Sequence, residues 1–285
     1  MKNTQIQFSA VNFNVKALKN GAEKGYCRIC GKYGALTDDH VPPKSCGNKG
    51  RTVFSIGENK LIIQNGFHCR TICSNCNNEL LGCNLDKEYK RVYDQIKTFK
   101  KSGLYLPNNI LEINVDIKKF FRSIIAHFFS VSVYDKDLTI QQVLEQPIRN
   151  DFVSENCRTF VLGEEENPKN VDLYYWYYPF SNIYVNPFMG YSIDLFAGNG
   201  KIIYGAMIKC SPIAVFILDK KVSTMNPPGL KADLNTNKLF LNMDSILDKE
   251  ILEHPTENGC VLLSPNNIVD GEKTNDYQKW KKRRL

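Results

Sequence analysis

The sequence predicts an α+β protein built from two unequal parts. Two Cys-x2-Cys pairs, at residues 27–30 and 73–76, enclose a first part of short strands that is followed by one helix. The stretch from Val115 to Phe129 has apolar residues at helical spacing and predicts an amphipathic helix. From residue 158 to residue 218, runs of β-branched and aromatic residues are separated by turn residues, which predicts an antiparallel sheet.

These patterns divide the chain into three segments. We expect a small N-terminal domain over residues 1–104, because a basic run ends its helix near residue 103. A larger α+β domain with an antiparallel sheet is expected over residues 105–264, followed by a polar, basic tail over residues 265–285. A length of 285 residues suits two domains of ordinary size.

The first part alternates short strands and turns. Ala35–Thr37 predicts a strand that ends before Pro42-Pro43, because proline cannot donate to a sheet ladder. Residues 60–63 and 71–72 predict two strands around a turn at Asn65-Gly66. Gly82 interrupts the helix that follows, which begins at Asn77 and has an apolar face of Leu80, Leu81, Leu85, Tyr89, Val92, Tyr93 and Ile96.

The second part is predicted to be rich in strands. Residues 145–153 are expected to form a loop or a short helix. His127 lies on the apolar helix and is expected to be a core residue, and most aromatic residues between 174 and 191 are expected to be core residues rather than base-stacking ones. The runs that predict strands are Thr159–Leu162, Leu173–Tyr178, Tyr191–Phe196, Ile202–Tyr204 and Ile213–Leu218.

Composition and cysteine usage indicate an ordinary globular protein of a reducing compartment. Hydrophobic residues make up 42% of the chain and charged residues 24%. The N-terminus has no apolar segment of the signal-peptide type, and no apolar run reaches the roughly 18 residues that a membrane helix needs. We therefore expect a cytoplasmic protein that does not enter a membrane, with four of its ten cysteines on a metal and six free.

Charge is unevenly distributed along the chain. Residues 1–104 hold 17 Lys/Arg and 8 Asp/Glu, whereas residues 105–278 hold 15 Lys/Arg and 22 Asp/Glu. The last seven residues add five basic side chains and no acidic one. A basic segment that coincides with the cysteine pairs favours a polyanionic partner, and we expect DNA.

The two cysteine pairs have the spacing of a structural zinc site. Each pair places two thiolates close enough for one tetrahedral Zn²⁺, and Cys27, Cys30, Cys73 and Cys76 together complete a closed four-sulfur site. Such a site does no chemistry itself, so any catalysis must come from what the zinc holds in place. The residues in question are Asp39 and His40 between the pairs, and Asn77 and Asn78 directly after the second pair.

Residues 25–95 resemble the HNH endonuclease family, in the variant whose ββα-metal finger is clamped by four cysteines. The shared features are the first cysteine pair, an Asp-His pair with a proline two to three residues later, and then Cys-x2-Cys-Asn-Asn-x3-Gly-x3-Asp. Gly82 and Asp86 stand at the last two positions of that pattern. The resemblance implies an endonuclease that hydrolyses DNA phosphodiester bonds with Mg²⁺ or Mn²⁺, beside a structural Zn²⁺.

The resemblance also implies roles for single residues. Asp39 and Asn77 would bind the catalytic cation, and His40 would be the general base. The chemistry of these groups agrees, because imidazole accepts a proton near neutral pH and carboxylate and amide oxygens suit Mg²⁺. The middle Asn of the family, which orients the base, has no clear equivalent: Asn65 and His68 are both candidates.

The remaining expectations concern partners. Lys44, Lys49 and Arg51 would contact phosphates, unless they belong to a merely solvated loop. The acidic second domain would bind a partner protein, a ligand or a second copy of the chain and so control the nuclease. By analogy with the family, we expect an effector of bacterial anti-phage defence or restriction. The alternative is a zinc-stabilised nucleic-acid-binding or interaction module without catalysis.

Overall fold

The fold mixes helices with antiparallel sheets around one continuous core. The computed structural model describes residues 21–49, 52–56, 59–63, 65–104, 106, 108–132, 140–148, 151–178, 183–193, 201–227, 229–243 and 261–263. Buried apolar residues from both predicted parts, from Cys27 to Leu241, belong to a single cluster. The predicted boundary at residue 104 stays a prediction, but the hydrophobic core continues across it.

The first part is a small sheet followed by a long helix. Strands β1 (Lys24–Tyr26), β2 (Tyr33–His40) and β5 (His68–Cys73) form an antiparallel sheet in the order β1-β2-β5. Between β2 and β5 lies a separate hairpin of β3 (Thr52–Ile56) and β4 (Asn59–Ile63).

The helix begins directly after β5. Its first segment, Asn75–Leu85, is wound as a π-helix, and α1 (Asp86–Ser102) continues it. Gly103 ends α1 with a left-handed backbone, φ +67°. The predicted break at Gly82 therefore lies inside the π-helical segment, where the winding differs but the helix continues. π-helical turns are frequently found at functional sites.

Helix α2 (Ile117–Val131) is the centre of the core. Asp116 caps it by accepting a hydrogen bond from the Lys119 backbone N–H at 3.1 Å. Its residues are buried almost all around, because it packs between α1, β5 and helix α4 (Phe152–Leu162). A short helix, α3 (Ile140–Glu145), lies against β1.

The second part contains a six-stranded antiparallel sheet. Its strands follow the order β11-β7-β10-β9-β8-β13, and a separate ribbon pairs β6 (Ile110–Asn114) with β12 (Lys238–Asn242). The Phe121 and Tyr175 rings meet edge to face at 5.7 Å, so α2 packs on one face of this sheet. The bounds are β7 (Val171–Tyr177), β8 (Ile183–Ile193), β9 (Lys201–Cys210), β10 (Ile213–Asp219), β11 (Leu230–Lys231) and β13 (Val261–Leu263).

The prediction of an α+β fold with antiparallel sheets is confirmed, and one element was predicted wrongly. Residues 159–162 form the last turn of helix α4 instead of a strand. The Asp151 side chain caps this helix through the Ser154 N–H at 2.8 Å, and Gly163 closes it with φ +81°. These caps lie outside the apolar run, so the run alone favoured a strand.

The other predicted elements agree in type with the structure where it describes them; of the strand predicted at 191–196, residues 191–193 belong to β8 and residues 194–196 lie outside the described residues. A helix covers most of residues 115–129, and strands cover residues 173–177, 202–204 and 213–218. The expected tail at 265–285 lies outside the described residues. Among the residues that the structure describes, no helix combines the length and the apolar character needed to cross a membrane.

Candidate metal centre and active site

Four cysteines meet at one end of the small sheet. One ligand atom each from Cys27, Cys30, Cys73 and Cys76 lie within 4.8 Å of one another. The Cys30 and Cys73 sulfurs are 3.8 Å apart. Four sulfurs bound to one Zn²⁺ at about 2.3 Å would stand about 3.8 Å apart at the corners of a tetrahedron. The predicted cluster is therefore brought together, and its geometry could hold a structural zinc.

The thiols are crowded enough to share protons. A hydrogen bond between the two side chains lowers the pKa of Cys27 to about 5 and raises the pKa of Cys76 well above its usual range. Burial raises the pKa of Cys30 to about 11. The Cys27 thiolate therefore forms easily, whereas the Cys30 and Cys76 thiols resist ionisation. A divalent cation removes that conflict by binding four deprotonated sulfurs.

Two arginines surround the first cysteine pair. Arg158, on α4, donates through Nη1 to the backbone carbonyls of Arg28 (3.0 Å) and Ile29, and its guanidinium lies 5.2 Å from the centre of the Phe129 ring. Arg28 donates to the backbone carbonyl of Val143. Both guanidinium groups are largely buried next to the thiols, so they would offset the negative charge of a four-thiolate zinc site.

At the other end of the sheet, the pairing of β2 with β5 contains a β-bulge just before Asp39. Thr37 pairs with Ile72 but Asp38 pairs with Arg70, so one residue of β5 is skipped between them. Leu36 and Asp39, three residues apart on β2, are both buried. Only 2% of Asp39 is exposed. The carboxylate therefore points into the protein.

His40 is the last residue of β2 and lies opposite His68, with the two rings 5.2 Å apart. Its Nε2 is buried and has no hydrogen-bond partner among the residues that the structure describes. The Asn65 backbone hydrogen-bonds to the imidazole, and because Nε2 is unpartnered this bond must involve Nδ1. Burial, His68 and Lys44 together lower the pKa of His40. The ring is consequently a neutral base with its lone pair on Nε2.

Asn65 and His68, the two candidates for orienting His40, make different contacts. Asn65 contacts it through the backbone, and the left-handed conformation of Asn65 (φ +65°) and Gly66 (φ +87°) makes the turn. A Cβ on Gly66 would lie 2.1 Å from the Asn48 carbonyl oxygen, so only glycine fits there. His68 instead directs Nδ1 at the Gly66 carbonyl, 3.0 Å away.

Asn48 forms hydrogen bonds that link the loop after β2 to the loop before β5, next to His40. Its Nδ2 donates to the carbonyls of Pro42 and Phe67, each at 2.8 Å, and its Oδ1 accepts from the Phe67 N–H at 2.8 Å. The loop that follows β2 is thereby tied to the loop that precedes β5. Sequence analysis missed this residue, because a loop asparagine has many uses and its partners lie 6 and 19 positions away.

Asn77 connects the helix to the bulge. Its Nδ2 donates to Thr37 Oγ1 at 3.1 Å and to the Asp38 carbonyl at 2.8 Å. Both amide hydrogens are used, which leaves Oδ1 for a further ligand. Asn78 makes a different contact, to Ser74 Oγ at 3.0 Å. Asn77 therefore holds the start of the helix against β2, beside Asp39.

A buried group that we term the carboxylate–imidazolium cluster consists of Asp39, His127, Asp86 and Ser123. His127 Nδ1 lies 3.0 Å from Asp39 Oδ2, and its Nε2 lies 3.0 Å from Asp86 Oδ1. Ser123 Oγ donates to the same Asp86 oxygen at 2.7 Å. Burial by itself lowers the pKa of His127, but the two carboxylates outweigh it and raise the pKa to about 10.

His127 was expected to be a core residue, and only 1% of it is exposed. It is not an ordinary core residue, however, because it forms two ion pairs. The available signal was a single histidine in an otherwise apolar helix face. Asp86 had appeared only as the last position of the family pattern. Neither residue could be connected to Asp39 without knowing how α2 packs.

Two of the three side chains predicted to bind phosphate, Lys44 and Lys49, lie among the described residues. Lys44 and Lys49 are exposed on the loop after β2, and Lys44 is close enough to affect the His40 pKa. Neither forms a salt bridge within the part of the chain that the structure describes. Arg51 lies outside the described residues.

Comparison with known protein families, with curated proteins and with solved structures finds no match for this chain.

Proposed function

We propose that this protein is a metal-dependent endonuclease that hydrolyses DNA phosphodiester bonds in the manner of HNH enzymes. The observation that supports this best concerns His40. Its Nε2 is buried and has no partner in the described part of the chain, while the Asn65 backbone hydrogen-bonds to its ring. A buried polar atom without a partner costs about 1–3 kcal/mol. Such a cost is typical of a group that serves a substrate rather than the fold.

His40 acts as the general base in this proposal. With Nδ1–H donating to the Asn65 carbonyl, the Nε2 lone pair accepts the proton of a water that attacks the scissile phosphate. Lys44, next to His40, and Lys49 attract the phosphate backbone through their positive charge and so guide DNA to the site. The bond between phosphorus and the attacking oxygen forms as the bond to the leaving sugar oxygen breaks.

The donor set near His40 fits a hard divalent cation. Asp39 Oδ2 is taken by His127, but Asp39 Oδ1 and Asn77 Oδ1 have no hydrogen-bond partner among the described residues. Carboxylate and amide oxygens from two residues, completed by waters and phosphate oxygens, suit Mg²⁺ or Mn²⁺. A bound cation would neutralise charge on the scissile phosphate.

Plasmid nicking across a Mg²⁺ titration tests the proposal. His40→Ala should lose at least about 10²-fold in cleavage rate at every Mg²⁺ concentration, because the lost step is proton transfer. Asp39→Asn and Asn77→Ala should need more Mg²⁺ and recover partly at high concentration. Near-normal cleavage by His40→Ala would end the HNH assignment.

The chain offers close controls for these variants. Asp38→Asn changes an exposed carboxylate that pairs with Arg70 at 3.2 Å, and Asn78→Ala removes only the contact to Ser74. Both should cleave like the unaltered protein. Zinc content and circular dichroism of each variant separate a lost reaction from a lost fold.

A second candidate function is a zinc-stabilised nucleic-acid-binding module without catalysis. The burial of Asp39, 2% exposed and paired with His127, favours it, because a catalytic cation must reach that carboxylate. Under this alternative the protein binds DNA but does not cleave it in Mg²⁺ or Mn²⁺, and His40→Ala changes nothing.

A further inference from the structure

Helix α2 brings one residue, His127, to the carboxylate next to the general base. The imidazole lies between Asp39 and Asp86, with a nitrogen 3.0 Å from an oxygen of each, and it is buried. The sequence separations are 88 and 41 residues. The contact is therefore a product of how α2 packs against the first part of the chain.

The geometry requires that both ring nitrogens donate. Ionised carboxylates can only accept hydrogen bonds, so an imidazole held between two of them needs a hydrogen on Nδ1 and on Nε2. The Ser123 hydroxyl adds a third hydrogen bond, to Asp86 Oδ1. Two carboxylates and one imidazolium leave the cluster with a net charge of −1.

A purely structural role explains that charge poorly. Replacing buried ion pairs with apolar residues is often neutral or stabilising, so an ionic cluster contributes little that a packed core would lack. A net negative charge beside a general base is, however, what a divalent cation would offset. The hydrogen bond to His127 also holds Asp39 in one orientation, with Oδ2 occupied and Oδ1 without a partner among the described residues.

We propose that His127 and Asp86 are positioning residues, which orient the Asp39 carboxylate so that Oδ1 can bind the catalytic cation. This inference rests on the proposed endonuclease function and deepens it. Partners of this kind, one shell outside a metal, typically change affinity or activity 10–100-fold when they are removed. Because His127 follows the predicted boundary at residue 104, the downstream part of the chain completes the cation site.

The main test uses the double variant Asp86→Leu/His127→Leu in the full-length, zinc-loaded protein. It removes one negative and one positive charge together, so the net charge beside Asp39 is unchanged and a change in cation affinity reports orientation. We expect Mn²⁺ binding, measured by calorimetry, to weaken at least about 10-fold. The Mn²⁺ concentration for half-maximal plasmid nicking should rise by the same factor, with a smaller change in the maximal rate.

Ser130→Ala is the matched control. Ser130 lies on the same helix and is equally buried, but it bonds to Thr71 at 3.0 Å and not to the cluster. It should bind Mn²⁺ like the unaltered protein. Ser123→Ala is a milder second variant that removes the donor to Asp86 and leaves no charge unpaired, and it should weaken Mn²⁺ binding a few-fold.

The outcomes are distinguishable. Unchanged Mn²⁺ affinity in the double variant, with zinc and fold retained, overturns the positioning role while the nuclease proposal stands. If the double variant does not fold, unchanged affinity in Ser123→Ala overturns it instead. If the unaltered protein binds no Mn²⁺ and does not cleave, the proposed function fails, and the positioning role fails with it.

Discussion

Helices from later in the chain contact both ends of the small sheet, but the chemistry of the two contacts differs. At the cysteine end, four soft ligands surround a place for one cation, and Arg158 of α4 contacts the backbone of the first cysteine pair. At the His40 end, α2 inserts His127 between two carboxylates. The first end could enclose one structural cation with four sulfurs, whereas the second has oxygens without hydrogen-bond partners among the described residues, which is what the proposed reaction would need.

The largest effect should come from breaking the cysteine end. Cys73→Ser removes one of four ligands, and structural zinc in small domains contributes an apparent 10–16 kcal/mol, so we expect loss of zinc together with unfolding of the small sheet. Metal analysis and circular dichroism measure both. Cys83→Ser changes an exposed cysteine outside the cluster and should retain one zinc per chain. Full zinc content in Cys73→Ser would show that the cluster is not the binding site.

The second-largest effect should come from removing the imidazole of His127 at the His40 end. His127→Ala leaves the buried Asp39 and the partly buried Asp86 without their cation and should lower the free energy of unfolding by about 3–5 kcal/mol. Urea unfolding measures it. Asp86→Leu/His127→Leu should be less destabilised than His127→Ala, since it leaves one carboxylate fewer without a partner. The reverse order would mean that charge compensation is not what His127 provides.

A moderate effect tests the downstream contact at the cysteine end. Arg158→Met removes hydrogen bonds to the carbonyls of Arg28 and Ile29, a change of about 1–3 kcal/mol. We expect faster zinc release to a chelator, by about 10-fold. Arg122→Met is the control, because Arg122 likewise donates to a backbone carbonyl, that of Val161, but has no contact with the cysteine pairs. Equal release rates in the two variants would remove Arg158 from the zinc site.

The smallest effect concerns DNA. Lys44→Ala with Lys49→Ala should weaken binding at low salt and reduce the slope of log affinity against log salt by about two, roughly 0.9 for each phosphate contact. Lys169→Ala with Lys238→Ala removes the same charge from side chains that pair with Glu165 and Glu112, and should leave the slope nearly unchanged. Identical slopes in both double variants would move the DNA path away from the loop after β2.

The helices and strands that were predicted correctly are those whose sequence pattern lies within one short segment. The α2 helix and most strands follow from spacing within one segment. Residues 159–162 were predicted as a strand because four apolar or β-branched residues in a row fit either structure, while the caps that make them helical, Asp151 and Gly163, lie outside the run. The bulge that β5 forms opposite Thr37 and Asp38 left no mark in the sequence.

The sequence alone determined the four-cysteine cluster and the Asp39-His40-Asn77 candidates, because ligand spacing and a family pattern are properties of neighbouring residues. Only the tertiary structure decided that His40 Nε2 has no hydrogen-bond partner among the described residues, and that His127 lies between Asp39 and Asp86. The physical reason is that the charge state of an isolated histidine on an apolar face depends on the carboxylates that surround it. The packing of α2 decides which carboxylates lie at its two nitrogens.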